Sequence, residues 1–362
     1  MKIFQIVPSL NYGDAIGNHV IALKHIIADM GYTTAIYTES IHKKITEPDV
    51  YLVSQLKTPD PEDIIIYHMS IGSDLNLKIA DMGCRKIMIY HNITPPHFFS
   101  IDDIQKVESC QRGLDDVMKM KGKFDYHIAV SEFNKSDLVA MGYDADKIDV
   151  LPIILAMDDY RNTAPDAATI DKLNDGYTNI LFVGRVAPNK KHEDIIRAFA
   201  YYNREINPKS RLILAGNYDG VNNYYTELVD YIKEIKNDNI QFTSHISFAE
   251  ILGLYKAADM FLCLSEHEGF CVPLAEAMMF DLPVIAYDSC ACPETMGGSG
   301  IVVDSKDPVF LAKVMDRVAR DEELRKDMIE SQRRRLEDFE FEPLSKRFRE
   351  LIENFISKEK KN

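Results

Sequence analysis

Apolar runs of strand length alternate with longer stretches of helical spacing along this chain, twice over, and few folds accommodate that order. In the first half the runs are Ile3–Val7, Thr34–Tyr37, Ile64–His68, Lys86–Tyr90, Tyr126–Val130 and Asp149–Leu151. Between the first two, His19–Met30 carries apolar residues at 20, 23, 26, 27 and 30, the spacing of one helix face. The second half repeats the scheme with Ile180–Val183, Leu212–Ala215, Ile240–Thr243, Met260–Leu264, Val284–Ala286 and Ile301–Val303. Helical patterns intervene at 192–205, 222–236, 248–257, 273–280 and 307–319. Continuously apolar strands separated by helices imply parallel sheets covered on both faces. The expected fold class is α/β, with two Rossmann-like, doubly wound parallel-sheet domains. Such sheets bind ligands at the carboxyl ends of their strands, which places the expected site where the domains face each other across a cleft.

A chain of 362 residues exceeds a single ordinary core, and the break is expected where the pattern lapses. Residues 1–155 form the first domain, and 178–340 the second. Between them, 156–177 reads as a linker, carrying Pro165, Gly176 and a polar, alanine-rich stretch. The closing segment 341–362 aligns Leu344, Phe348, Leu351, Ile352 and Phe355 on one helix face. That face needs a partner, expected on the first domain.

Charge and cysteine usage exclude some functions. The formal net charge is −15, from 15 Lys/Arg against 21 Asp/Glu in residues 1–155 and 27 against 36 in the rest. Neither half has the basic footprint of a nucleic-acid platform. A local patch facing an anionic membrane or a lipid-linked substrate stays compatible with these numbers. Of the six cysteines, none forms a C-x-x-C pair and no second ligand cluster accompanies Cys290 and Cys292, so no zinc site is expected. Cysteines within apolar runs such as Phe261–Leu264 read as reduced core residues. The opening apolar run stops at Pro8, too short for a signal peptide, and no apolar stretch reaches 18 residues. A cytoplasmic protein is expected, at most peripheral on the inner face of a membrane.

Four segments carry chemistry. The first is Glu268-Gly-Phe-Cys-Val-Pro-Leu-Ala-Glu276, which follows the Met260–Leu264 strand and opens a helix at Pro273. Backbone N–H groups at 269–274, at a helix start, are expected to point into the cleft and suit a phosphate. By themselves, the two glutamates read as well as a loop acid and a helix-surface acid. The second segment is Gly184-Arg185-Val-Ala-Pro-Asn-Lys190-Lys191, which sets two cations between a strand end and a helix. Prearranged cations there stabilise charge building on a departing diphosphate; the competing reading is a basic loop paired with Glu193 and Asp194. This is no P-loop, because G-x-x-x-x-G-K is absent. The third is Gly13-Asp14-Ala-Ile-Gly17, a turn that lets backbone approach a ligand, and the fourth is Tyr90-His91-Asn92 at a strand end.

Together these segments resemble the family-four retaining glycosyltransferases of GT-B fold over essentially the whole chain. The resemblance rests on Glu-x7-Glu (Glu268, Glu276), Gly-Arg-x4-Lys (Arg185, Lys190), the Gly13–Gly17 loop and His91, with Ala129-Val-Ser-Glu-Phe, Val150-Leu-Pro-Ile and Pro293-Glu-Thr-Met-Gly-Gly-Ser-Gly-Ile in support. Tyr-His-Asn-Ile-Thr-Pro at 90–95 is similar to a branch acting on cell-envelope polysaccharides. The resemblance implies that Arg185 and Lys190 hold the donor diphosphate and that Glu276 accepts from the ribose hydroxyls. It assigns Glu268 to the transferred sugar, joined by backbone of Gly269 to Val272, and His91 to that sugar from the first domain. Gly13, with Asp14 and Gly17 in its loop, would lie against the diphosphate, and Gly216 and Ile246 (in Ser244-His-Ile-Ser247) against the base. No metal or other cofactor is implied, and Asp144-Ala-Asp146 reads as a solvated turn. Two departures stand out: Lys191 where a glycine is common, adding a phosphate or acceptor contact, and Cys290-Ala-Cys292 before Pro293.

The expected reaction transfers a hexose from a nucleoside diphosphate sugar to a hydroxyl of a glycan or lipid-linked acceptor, with retention. Its rivals are another GT-B enzyme (an epimerase or phosphorylase), a non-catalytic nucleotide-sugar binding protein, and a nicotinamide oxidoreductase. The last wants G-x-G-x-x-G after the first strand, which this sequence lacks.

Overall fold

The computed structural model describes residues 1–99, 103–218, 222–243 and 246–357. Contacts divide the chain into two compact units. The first comprises Met1–Met157 together with the segment from Asp338 onward, the second Asp158–Glu337.

The first unit holds seven strands: β1 (Ile3–Leu10), β2 (Thr34–Ile41), β3 (Val50–Leu52), β4 (Ile64–Met69), β5 (Arg85–Tyr90), β6 (Tyr126–Ala129) and β7 (Ile148–Val150). They lie in the order β3-β2-β1-β4-β5-β6-β7, every pair parallel. All six residues of β4 are buried, as a strand covered on both faces requires. The edge strand β3 lies in the short apolar run Val50–Val53, which was not among the expected strands. Its three residues are at best half-buried, and its ladder to β2 (Ile36 opposite Val50) defines it. The closing helix, Phe341–Ser357, buries Leu344, Phe348, Leu351, Ile352 and Phe355, the face read from its spacing. It docks within the first unit. The Arg85 guanidinium sits 4.2 Å from the Phe355 ring centroid and donates to the Phe355 carbonyl at 2.6 Å.

The second unit holds six strands: β8 (Thr178–Val183), β9 (Ser210–Ala215), β10 (Ile240–Thr243), β11 (Met260–Cys263), β12 (Val284–Tyr287) and β13 (Ile301–Val303). Their order is β10-β9-β8-β11-β12-β13, again all parallel. Strand order reverses between β8 and β11. The loops leaving those two strands therefore open side by side, the place where doubly wound sheets bind ligands. In the first unit the corresponding reversal lies between β1 and β4.

Residues 156–177, expected as a linker, are not irregular throughout. They carry two short helices, Met157–Asn162 and Ala167–Leu173. The second docks on helix Phe248–Ala257: Asp166 N–H donates to the Ala249 carbonyl at 2.9 Å, and an added Cβ on Gly253 would sit 3.0 Å from Thr169. Helices of six and seven residues are too short to show periodicity, and neighbours rather than propensity hold them.

Candidate active site

In the second unit, Gly184 and Arg185 follow β8 directly. Gly184 N–H donates to Ala215 and Val186 N–H to Asn217, both at 2.9 Å, which lays the loop against the end of β9. Only glycine fits at 216 there, because a Cβ would stand 1.9 Å from the Gly184 carbonyl oxygen. Arg185 leaves this anchored backbone with an exposed side chain that has no ion-pair or hydrogen-bond partner among the described residues. Ile246, the other residue expected near the base, is half-buried against the core of this unit. Ser244 and His245 beside it lie outside the described residues.

The loop after β8 is stapled to the loop after β11 through Asn189. Its amide donates to the His267 carbonyl at 3.0 Å, and its carbonyl accepts from Glu266 N–H at 2.8 Å. This brings Lys190 Nζ to 2.5 Å from Glu268 Oε1. Burial alone would lower the Lys190 pKa, but the Glu268 carboxylate, together with Cys271 and Cys263, offsets it and holds the ammonium above its ordinary value. The two motifs thus meet as an ion pair. Lys191 is differently engaged. At φ 54° it lies 3.4 Å from both Glu193 and Glu266, and Lys306 pairs with Asp194 and Glu266. The paired basic loop weighed above describes Lys191, while Arg185 stays outside it.

Glu276, on helix Val272–Met279, is no surface acid. Its two oxygens accept from the hydroxyls of Tyr160 and Tyr255, the latter at 2.7 Å. Burial raises its pKa, and these two hydrogen bonds only partly offset that. Four lone-pair sites on a carboxylate leave room for further donors. Neither tyrosine was legible as a site residue. Tyr255 sits in an apolar helix pattern, and Tyr160 in the stretch expected to be a linker.

The start of that helix is unusual. Cys271 occupies the left-handed region at φ 68°, where glycine is normally favoured, and the Phe270 carbonyl accepts from the Thr295 hydroxyl. Gly269 and Val272 flank it, half-buried. The Sγ atoms of Cys263, Cys271 and Cys292, all buried, lie within 4.8 Å of one another. Sequence spacing gave no hint of this three-sulfur donor set; structural zinc sites ordinarily use four ligands.

In the first unit, Gly13 takes φ +75° after β1, and Asp14 caps helix Ala15–Asp29 by accepting from Gly17 N–H at 2.5 Å. Gly17 has its own steric reason, since a Cβ would stand 2.6 Å from the Asn11 carbonyl oxygen. His91 follows β5, buried beside His68 and His19. Asp144 accepts from the N–H of Asp146 at 3.1 Å in a single helical turn, an ordinary Asx arrangement. Among the described residues no helix is long and apolar enough to cross a membrane.

Comparison with known proteins agrees with this geometry. Residues 167–335 match the family described as glycosyl transferases group 1. The chain is 26% identical over 233 residues to an O-antigen chain mannosyltransferase B of Escherichia coli, covering 62% of this chain and 58% of that protein. It is likewise 26% identical over 169 residues to the capsular polysaccharide biosynthesis glycosyltransferase CapM of Staphylococcus aureus (46% of this chain, 43% of that one). These alignments span less than two thirds of either relative. Among solved structures, Anabaena HepE in complex with UDP-glucose superposes with a TM-score of 0.77 at 17% identity, over 98% of this chain and all of that one. WaaG, a glycosyltransferase involved in lipopolysaccharide biosynthesis, gives 0.72 at 13% identity over 97% of this chain and 99% of that one. The fold is the GT-B fold. Residues 167–335, which lie in the second unit, are thus similar to the group 1 glycosyl transferases, and the relatives are glycosyltransferases.

Proposed function

We propose that this protein is a retaining hexosyltransferase, moving a hexose from a nucleoside diphosphate sugar to a hydroxyl of a glycan or lipid-linked acceptor during cell-envelope polysaccharide synthesis. One observation carries the reading: at the strand-order reversal of the second sheet, the loop after β8, with Lys190 and an Arg185 that has no partner among the described residues, is tied by the Lys190–Glu268 pair to the segment leading into the helix of the tyrosine-held Glu276. Arg185 and Lys190 neutralise the diphosphate as it leaves, where charge builds in the transition state. Glu268 orients the transferred hexose. Glu276, anchored by two phenols, keeps lone pairs for the ribose hydroxyls. The backbone from Gly269 to Val272 binds the sugar or the phosphates, the Gly13 loop lies against the diphosphate, and His91 contacts the hexose. Retention follows from a same-face displacement in which the departing phosphate accepts the acceptor's proton. The enzyme acts in the cytoplasm, at the inner membrane face when the acceptor is lipid-linked.

The test is incubation with UDP-, GDP- and ADP-hexoses and mixed oligosaccharide acceptors, with the anomeric configuration of the product read by NMR. A retained anomer on a new glycosidic bond is expected. Nucleoside diphosphate release without a glycoside, or isomerised donor, would overturn the reading.

The two glutamates should separate by calorimetry. Glu276→Ala is expected to weaken free nucleoside diphosphate and sugar nucleotide alike, by roughly tenfold for hydrogen bonds to a charged group. Glu268→Ala should weaken the sugar nucleotide more than the free diphosphate. Equal losses in both variants would contradict the division of roles.

Transfer should survive EDTA, because two cations and a helix start already oppose the leaving charge. Loss of transfer on chelation, restored by magnesium or manganese, would reject metal independence.

A further inference from the structure

In the second unit three thiols from distant points of the chain meet. Cys263 ends β11, Cys271 stands at the turn into helix Val272–Met279, and Cys292 opens helix Cys292–Met296. Their Sγ atoms lie within 4.8 Å of one another, and Cys263 and Cys271 are 3.9 Å apart. All three residues are buried, Cys271 least, at 5% exposure. The elements that carry them are also tied to each other. The Thr295 hydroxyl donates to the Phe270 carbonyl, and Ala291 N–H donates to the Glu268 carbonyl at 3.4 Å. Filling apolar space is the ordinary role of a buried cysteine, and it needs no convergence of sulfurs. Nor does it give a reason for Cys271 to hold φ 68°, which a glycine there would adopt without strain.

Three sulfurs define the chemistry of this set. Among the described residues no carboxylate or imidazole atom lies as close to all three. Thiolates select soft ions, Cu(I) and zinc foremost, over hard ones such as magnesium or calcium. Zinc asks for a fourth ligand, whereas Cu(I) is satisfied by three. A metal–thiolate bond of about 2.3 Å puts the sulfurs of a planar three-coordinate site about 4.0 Å apart. The 3.9 Å between Cys263 and Cys271 already meets that, and the 4.8 Å bound leaves only a small closure for Cys292. Binding releases three S–H protons to solvent in exchange for one Cu⁺, so the site gains two negative charges. Two features oppose that charge. Lys190 is coupled electrostatically to Cys271 and Cys263 as well as to Glu268, and the start of helix Val272–Met279 lies beside Cys271.

We infer that Cys263, Cys271 and Cys292 form a three-coordinate thiolate site for Cu(I), and that its occupation slows transfer. The second half rests on the proposed function; the first does not. The ion supplies no chemistry to transfer. A loaded site sets two negative charges against Lys190, where the departing diphosphate must be held, and it ties down the turn between Glu268 and Glu276.

The full chain, reduced and kept anaerobic, is titrated with Cu(I) against a chromogenic Cu(I) chelator, and X-ray absorption at the copper edge reads the ligands. One equivalent is expected to resist the chelator, with three sulfurs at about 2.3 Å. Cys292→Ala should weaken binding by more than about a hundredfold, beyond the cost of losing an outer partner, and leave copper-free transfer near the wild-type rate. If that variant does not fold, Cys263→Ala takes its place. Cys290→Ser, which removes the half-buried thiol outside the trio, should change nothing. Zn²⁺ should bind more weakly for want of a fourth ligand. One equivalent of Cu(I) should slow transfer by the wild type about tenfold or more, and leave that of Cys292→Ala unchanged. Failure to hold copper against the chelator, two-sulfur coordination or a tighter zinc site overturns the inference. So does equal copper binding by Cys292→Ala, or full transfer by the loaded wild type. If no donor supports transfer, the proposed function fails while the copper titration still decides the site.

Discussion

Arg185→Ala is expected to lower the transfer rate by two to three decades without moving the thermal unfolding midpoint. The side chain is exposed and has no partner among the described residues, so its removal breaks nothing in the fold. Its expected contribution is to charge developing on the leaving diphosphate, and loss of one such preorganised contact costs on the order of 3–4 kcal/mol. Lys190→Ala should show the same rate loss together with a stability loss, because it strands the Glu268 carboxylate now held at 2.5 Å. That stability loss should be about 1–3 kcal/mol, less than for a fully buried pair, since 19% of the Lys190 side chain is exposed. Combining Lys190→Ala with Glu268→Gln should recover stability but not transfer. Calorimetric unfolding and single-turnover rates on the three variants check this. Near wild-type turnover in folded Arg185→Ala would remove the diphosphate assignment.

Gly216→Ala is expected to be the most destabilising single-methyl change in the second unit. The new Cβ would lie 1.9 Å from the Gly184 carbonyl oxygen, a backbone atom that cannot rotate away. One of the two strand ends must shift, breaking the Gly184–Ala215 or Val186–Asn217 hydrogen bond that seats the Arg185 loop. Overpacking of this kind costs about 3 kcal/mol, or roughly 6–12 °C in a unit of this size. Nucleotide affinity should fall with it, as the loop carrying Arg185 and Lys190 loses its seat. Gly13→Ala is the control: its Cβ meets nothing within 4 Å, so the cost is only that of φ +75° on a non-glycine residue, about 1 kcal/mol. Differential scanning calorimetry of both variants tests the comparison; equal midpoints would show that the Gly184–Gly216 approach is not tight.

Every strand but the exposed edge strand β3 was legible because each is an apolar run bounded by turn residues, and burial on both faces leaves no other composition open to a central parallel strand. Ile240–Thr243 and Ile301–Val303 coincide with their runs, and helices His192–Glu205 and Phe248–Ala257 with their spacing. The closing helix was legible by its stripe of Leu344, Phe348, Leu351, Ile352 and Phe355. Arg185, Lys190, Glu268 and Glu276 could be named because chemistry at a strand end needs cations and carboxylates at short range in the chain. What the one-dimensional pattern does not carry is pairing between residues far apart along it. Glu276 and Tyr160 are 116 positions apart, and the tyrosine sits in a helix too short to show a period. Cys263, Cys271 and Cys292 converge only because β11, the turn at Cys271 and the loop after β12 open at one end of a sheet. The same holds for Gln5, His19, His68 and His91: each alone is an unremarkable polar residue in an apolar segment. Only strand order, which sets β1, β4 and β5 side by side, decides that Gln5, His68 and His91 hydrogen-bond in a row.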